Sequence, residues 1–299
     1  MSVYGYLRFS YFGRSDARLS RNEITLEDRY AALYARDRME TRFHLFENIC
    51  LPSLRFQTDT DFKIMVLASH VMPEEYKRRL AALVADIPQI ELVYSDAERV
   101  HLAFNPWQAD QTAGNTENTV HFRLDDDDAL SSDMIAILRG RAAHAQMGEM
   151  LSYPNGLYLA AQDGVAYLTR KFEPYNAVGM AFVNRPGEIR TPYDCDHTGH
   201  FRNVPSSLDP RPLAYLYTAH PMSDTHRAQK RQIRRAIEED PEYDSERGQR
   251  KIRRALRRNF PGFKPDRLKE IILHTTAIQT DEPAPVYPGD PTAGQTAAE

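Results

Sequence analysis

Residues 120–130 read VHFRLDDDDAL. Val120, Phe122 and Leu124 alternate with His121 and Arg123 in the two-residue period of a strand, and this strand runs directly into Asp125, Asp126, Asp127 and Asp128. Beyond them Ser131, Ser132 and Asp133 supply helix N-caps ahead of MIAIL. The aspartates therefore sit at the carboxyl end of a strand, where open α/β sheets place their ligands. Adjacent carboxylates repel one another, so a fold that gathers them needs a cation or hydrogen-bond donors to compensate. An acidic run by itself is more often solvated surface; its place between a strand and a capped helix favours a ligand role.

Working outward toward the N-terminus, YGYLRF at 4–9 alternates as a strand. Residues 26–56 read as a helix with Phe43, Phe46, Ile49 and Cys50 at three- and four-residue spacing, ended or kinked by Pro52. FKIMVLA at 62–68 suits a strand buried on both faces; a helix is expected from Pro73 to about Ala85, then a strand at 90–94 (IELVY). This order predicts an α/β protein with a mostly parallel, Rossmann-like sheet flanked by helices. The polar stretch FNPWQADQTAGNTENT at 104–119 reads as a surface loop carrying Trp107. Toward the C-terminus, Asp163-Gly164 between LYLA and VAYLT predicts a hairpin and a small antiparallel portion. The reading divides the chain into a main domain at 1–225, a basic helical extension at 226–279 and a Pro-rich disordered tail at 280–299.

Composition bounds the function. The 299 residues suffice for one large α/β domain, and no apolar run approaches the roughly 18–20 residues of a spanning helix. The N-terminus MSVYGYLRFSYFG lacks the pattern of a secretion signal, and the only cysteines, Cys50 and Cys195, form neither a disulfide framework nor a zinc site. A cytoplasmic location is expected. Net charge is −4, yet residues 226–258 hold twelve Lys/Arg against six Asp/Glu, which leaves −10 on the remainder.

Oxygen ligands suit hard divalent cations, and Mg²⁺ is typically held by one or two carboxylates together with substrate phosphates. Mn²⁺ or Mg²⁺ bound at the aspartates would then bridge a nucleotide diphosphate. RFSYFG at 8–13, RMETRFHLFENICLPSLRFQTDTDFKIMVLAS at 38–69, HFRLDDDDAL at 121–130 and YLYTAHPMSDT at 215–225 occur in an order that resembles the bacterial family named for rhamnosyl transfer, and the aspartate run resembles the DxD motif of GT-A-fold glycosyltransferases. The resemblance covers roughly residues 5–225 and supports the reaction class more firmly than the sugar. It implies a GT-A fold, a nucleotide-sugar donor and a glycan or lipid-linked glycan acceptor. It also implies that Asp127 ligates the metal, that Asp125 lies near the ribose or reaches the metal through water, and that Asp128 contacts the sugar or holds the loop; Asp126 with Asp128 satisfies the same pattern. His220 matches a late histidine ligand, although the family's His-Gly-x-Asn here reads His220, Pro221, Met222, Ser223. The alternative for His220 is a partly buried histidine with an ordinary hydrogen bond.

The segment YDCDHTGH places Asp194, Asp196, His197 and His200 close together. An inverting transferase needs a carboxylate to take the acceptor proton, and Asp196 is the candidate; a polar loop or a second metal site are the other readings. Arg8 and Asp96, at the ends of two strands, lie where GT-A enzymes receive the base and ribose, and either can instead be a salt bridge or a helix cap. Ser10, Asp59 and Arg123 are unranked candidates. Tyr153, Tyr158, Tyr167 and Tyr175 could stack on an acceptor sugar or be sheet residues. The stretches QKRQIRRAI and RGQRKIRRALRRNF set Ile233, Ile237, Ile252 and Leu256 among arginines, which suits either peripheral contact with an anionic membrane or a solvated helical face. No specific nucleic-acid partner is expected. Competing classes are a divalent-metal phosphohydrolase or nuclease, whose acidic ligands would be spread over several strand ends, and a catalytically silent transferase-like module that binds lipid or nucleic acid.

Overall fold

The computed structural model describes residues 1–13, 25–194, 202–223, 245–280 and 282–288, together with Arg231, Ile233, Arg234, Ile237 and Glu238. The strands are β1 Val3–Arg8, β2 Lys63–Ser69, β3 Ile90–Ser95, β4 Thr119–Arg123, β5 Ala129–Leu130, β6 Met150–Ser152, β7 Asn155–Gln162, β8 Val165–Phe172, β9 Ala181–Asn184, β10 Ser206–Leu208 and β11 Tyr215–Ala219. The helices are α1 Leu26–Leu33, α2 Arg36–Leu45, α3 Leu51–Arg55, α4 Glu74–Val84, α5 Val100–Thr112, α6 Met134–Ala142, α7 Glu246–Asn259 and α8 Pro265–Ala277.

The main sheet has the order β10-β6-β9-β4-β1-β2-β3. β3, β2, β1 and β4 are mutually parallel and only β9 runs against its neighbours, so the expected mostly parallel sheet is present in the strand order of a Rossmann half. Both faces are covered. Val3 and Leu7 of β1 and Ile64, Val66 and Ala68 of β2 enter the core shared with α1 to α4 and α6, whereas Tyr4, Tyr6, Met65 and Leu67 point to the other face, onto α5. Gly5 lies between: a Cβ there would meet the Phe122 ring at 2.4 Å and Ile64 at 2.8 Å, so β1 and β4 pack closely only around a glycine.

A second sheet, β5-β11-β7-β8, contains the predicted hairpin. Gln162 pairs with Val165 across Asp163 (φ 50°) and Gly164 (φ 77°), the two left-handed positions of a type I′ turn. On this sheet sit α7 and α8: Ile252, Leu256, Phe260, Leu268, Ile271 and Ile272 share a buried cluster with Leu157, Leu159, Leu168 and Leu216.

Two local expectations are corrected. Of the segment 104–119 only residues 113–118 form a loop, because α5 runs on to Thr112 and buries Val100, Ala103, Phe104 and Trp107 at helical spacing, the indole N–H donating to Glu91 at 2.7 Å. Pro106 stands within the helix beyond its first turn, where proline removes a backbone hydrogen bond, and the buried apolar stripe prevails over that cost. The helix expected over 26–56 is broken at Tyr34–Ala35 and carries a wide π-type turn over Phe46–Cys50. That turn comes just before Pro52, whose missing N–H and ring clash with the preceding turn favour such a local widening. Asp133 is the N-cap residue of α6 but makes no capping hydrogen bond; it accepts from the Ser131 hydroxyl at 2.9 Å instead. No helix among the described residues is long and apolar enough to cross a membrane.

Candidate active site

The strand order turns between β1 and β4, and the segments that follow these two strands face each other at the switch point where such sheets bind ligands. After β4 the chain passes Leu124 and makes a tight turn through the aspartates, closed by the Asp128 N–H donating to the Asp125 carbonyl at 3.2 Å. β5 then pairs with β11, which brings Thr218 and His220 onto the turn. The Thr218 N–H donates to Asp128 Oδ1 at 2.7 Å and its hydroxyl to the Asp127 carbonyl at 2.8 Å.

Each aspartate has its own set of partners, with Arg42 shared by two of them. Asp125 is the most open; Arg123 grips both its oxygens at 3.0–3.1 Å, and the Tyr193 hydroxyl donates to Oδ1 at 3.3 Å. The Arg123 guanidinium also stacks on the Tyr193 ring at 4.4 Å. Asp126 is buried and accepts from Arg42 Nη1 at 2.5 Å. Asp127 Oδ2 is 3.1 Å from the same Arg42 nitrogen and 3.0 Å from His220 Nε2. Asp128 is buried on Thr218.

Burial works against charge on all three inner carboxylates, but not equally. Asp127 stays below the usual carboxylate range because Arg42 and the His220 hydrogen bond outweigh its desolvation. Desolvation and the neighbouring aspartate charges push Asp128 up, and burial likewise raises Asp126 despite Arg42. His220 is wholly buried, and desolvation lowers its pKa against the pull of Asp127. Its Nδ1 has no hydrogen-bond partner among the described residues, while its backbone N–H donates to the Ser223 hydroxyl at 3.0 Å. Ser223 thus serves a turn at the position where the resembled pattern carries asparagine.

The opposite wall comes from the end of β1 and from α2. Ser10 takes a left-handed backbone conformation (φ 44°), a strain that serine rarely adopts and that often marks a ligand site. Its hydroxyl accepts from Arg38 Nη1 at 3.0 Å. Arg38 and Arg42 are four residues apart on α2, one above the other on the same helical face, so one guanidinium reaches Ser10 and the other the aspartate turn.

The structure therefore brings Asp127 and His220 together but holds Asp125 apart from them on Arg123 and Tyr193. Among the described residues no group of three or more His, Cys, Asp or Glu side chains is arranged to hold a metal. The 3.0 Å between Asp127 Oδ2 and His220 Nε2 is a hydrogen bond, and what suits a divalent cation here is only the donor set, one carboxylate beside one imidazole. Two protein ligands with the remaining positions left to phosphate and water is the usual Mg²⁺ arrangement.

Other candidates are placed differently. Arg8 is half-buried at the end of β1, and Asp96 is exposed beyond β3, two strands from β1. Asp59 pairs with Arg139 at 2.7 Å and braces the start of β2 against α6. Asp194 closes a turn by accepting from the Thr191 N–H at 2.8 Å. Asp196, His197 and His200 lie outside the described residues. Tyr153 and Tyr158 are buried and cannot offer a face to a sugar, whereas Tyr167 and Tyr175 are half-buried. Sequence reasoning missed Arg38, Arg42 and Thr218. An arginine pair at four-residue spacing within the RMETRF stretch, beside the core residues Met39 and Phe43, was the available signal.

An open, mostly parallel sheet with a buried carboxylate, imidazole and guanidinium cluster at its switch point defines a Rossmann-like ligand-binding α/β protein. The model of a family described as "Putative rhamnosyl transferase" matches residues 2–232, and the chain belongs to this glycosyltransferase family. Curated proteins provide no match. Among solved structures, S. aureus TarS 1–349 in complex with UDP-GlcNAc is similar over 92% of this chain and 72% of that one, at 8% identity and a TM-score of 0.41. S. aureus TarS is similar over 89% of this chain and 45% of that one, at 10% identity and a TM-score of 0.36. Likeness this distant transfers no residue roles.

Proposed function

We propose that the protein moves a sugar from a nucleotide-diphosphate donor to a hydroxyl of a glycan or lipid-linked glycan, with Mn²⁺ or Mg²⁺ held by Asp127 and His220. The observation that carries the reading is the buried Arg42, Asp127 and His220 cluster at the switch point, in a chain of glycosyltransferase family. The family description makes rhamnose the first sugar to test. A bound cation would stabilise the negative charge that develops on the diphosphate leaving group.

The chain's own residues supply the rest. Arg38 and Arg42 offer guanidinium charge to the phosphates, as bidentate donors suited to that geometry. Asp125, oriented by Arg123 and Tyr193, is presented to the ribose, with Arg8 and Asp96 on the base side. Asp126 and Asp128 hold the turn through Arg42 and the Thr218 N–H. Asp196 remains the proposed base for the acceptor proton.

Work at a lipid-linked acceptor on the cytoplasmic face would be helped by α7. Arg247, Arg250, Lys251, Arg254, Arg257 and Arg258 are exposed along one side of it, opposite the buried Ile252 and Leu256. Among the described residues, Arg253, Arg254, Arg257 and Arg258 have no acidic partner.

The deciding experiment is a thermal-shift screen of UDP-, GDP- and dTDP-sugars with and without Mn²⁺, since a ligand that binds only the folded state raises its melting temperature. A shift from one nucleotide series that grows with Mn²⁺ supports the reading. No shift from any of them, at concentrations far above ordinary donor affinities, sinks it.

A further inference from the structure

Arg42 occupies an unusual position for a phosphate-binding residue. Its Nη1 lies 2.5 Å from Asp126 Oδ1 and 3.1 Å from Asp127 Oδ2, and that same Asp127 oxygen faces His220 at 3.0 Å. A positive charge is therefore already seated at the carboxylate that would take the metal. A divalent cation on Asp127 would stand beside a guanidinium in a site shielded from water, where like charges repel far more strongly than in solvent.

Resting on the metal-dependent reading above, we infer that Arg42 is the resident counter-ion of Asp126 and Asp127, and that it excludes a divalent cation from Asp127 until a nucleotide diphosphate draws the guanidinium off that carboxylate, Asp126 remaining its partner. The means are at hand. Arg38, one helical turn earlier, already reaches Ser10 just beyond β1 with its Nη1, so one guanidinium stands at Ser10 and the other at the aspartate turn, the two segments the phosphates would meet. A diphosphate gives Arg42 a new anionic partner with the planar two-point geometry guanidinium prefers. Asp127 is then open to the cation, which the phosphates help to hold. Cation and donor load as a pair, and linkage requires each to tighten the other by the same factor. A mere brace between α2 and the aspartate turn would have no such effect on a free cation.

The test measures Mn²⁺ binding to the full chain by titration calorimetry, without nucleotide and with UDP, GDP or dTDP. It compares wild type, Arg42→Gln and the double variant R42Q/D126N. The double variant removes the ion pair as a unit, which avoids stranding Asp126 in the core should Arg42→Gln fail to fold. Wild type is expected to bind Mn²⁺ weakly alone and about tenfold or more tightly with its nucleotide, while the folded variants bind Mn²⁺ without nucleotide about tenfold more tightly than wild type. If they bind free Mn²⁺ no better than wild type, and wild type does bind it with nucleotide, the exclusion role is overturned and the proposed function stands. If wild type binds no Mn²⁺ with any of the three nucleotides, metal dependence itself falls, and the inference with it.

Discussion

Asp127→Asn and Asp128→Asn are isosteric and remove one charge each from the same turn, yet they are expected to change the stability of the ligand-free protein in different directions. The Asp127 carboxylate is held in its charged form by Arg42 at 3.1 Å and His220 at 3.0 Å, strongly enough to override its burial. Asparagine loses the ion pair with Arg42 and the charge assistance of the hydrogen bond to His220. Hydrogen bonds to charged groups contribute about 1.5–3 kcal/mol. Because Arg42 keeps Asp126 as a second partner at 2.5 Å, the loss belongs at the lower end of that range. At about 2–4 °C per kcal/mol for a large domain, the melting temperature should fall by several degrees. Asp128 is the opposite case. Burial and the charges of Asp127 and Asp125 disfavour its ionised form, and its bond from the Thr218 N–H at 2.7 Å can be accepted equally well by an asparagine oxygen. Asp128→Asn should leave the melting temperature unchanged or raise it. Thermal and urea unfolding of the ligand-free variants near neutral pH makes the comparison, and nucleotide-induced shifts with Mn²⁺ supply a second readout, lost in Asp127→Asn and kept in Asp128→Asn. The charge assignment is refuted if Asp128→Asn destabilises as much as Asp127→Asn, or if Asp127→Asn raises the melting temperature.

Three further outcomes are expected. His220→Ala should remove the Mn²⁺-dependent part of nucleotide binding as Asp127→Asn does; calorimetry that finds wild-type Mn²⁺ affinity would show that the ring is only a structural partner of Asp127. His121 is wholly buried between the Tyr6 hydroxyl at 2.7 Å and the Thr119 hydroxyl at 2.6 Å, and burial pushes its pKa down to about 3. Its contribution to stability is therefore complete above the ordinary histidine value and is lost at up to about 1.4 kcal/mol per pH unit as pH falls from about 6.5; urea unfolding of His121→Gln should show a flatter acid limb, and equal slopes in the two proteins would count against it. Replacing Arg254, Arg257 and Arg258 by Gln should abolish co-sedimentation with anionic vesicles at low salt, each such residue contributing about 1 kcal/mol near a charged surface, whereas wild-type pelleting that persists at high salt would contradict a purely electrostatic contact.

The parallel layer was legible because its signals are local. Buried strands such as Lys63–Ser69 announce themselves as apolar runs, and the Asp163-Gly164 turn is set by the two residues that form it. The position of the aspartate run could be read from the strand before it and the helix after it. α5 was hidden by Pro106 and a polar surface, although Val100, Ala103, Phe104 and Trp107 carry the helical spacing once the window opens a few residues earlier. Arg42 was hidden for a deeper reason. An arginine on a helix reads as solvated surface, and only the tertiary approach of α2 to the turn after β4, residues 84 apart in sequence, turns it into a buried counter-ion. α7 shows the same limit from the other side. Its composition, isoleucine and leucine among arginines, suits a helix lying in a membrane interface, but Ile252 and Leu256 are already buried against β7, β8 and α8. With its apolar stripe used inside the protein, α7 has nothing to insert into lipid, so any hold it takes on a membrane must come from its outward-facing charge and weaken as salt is raised.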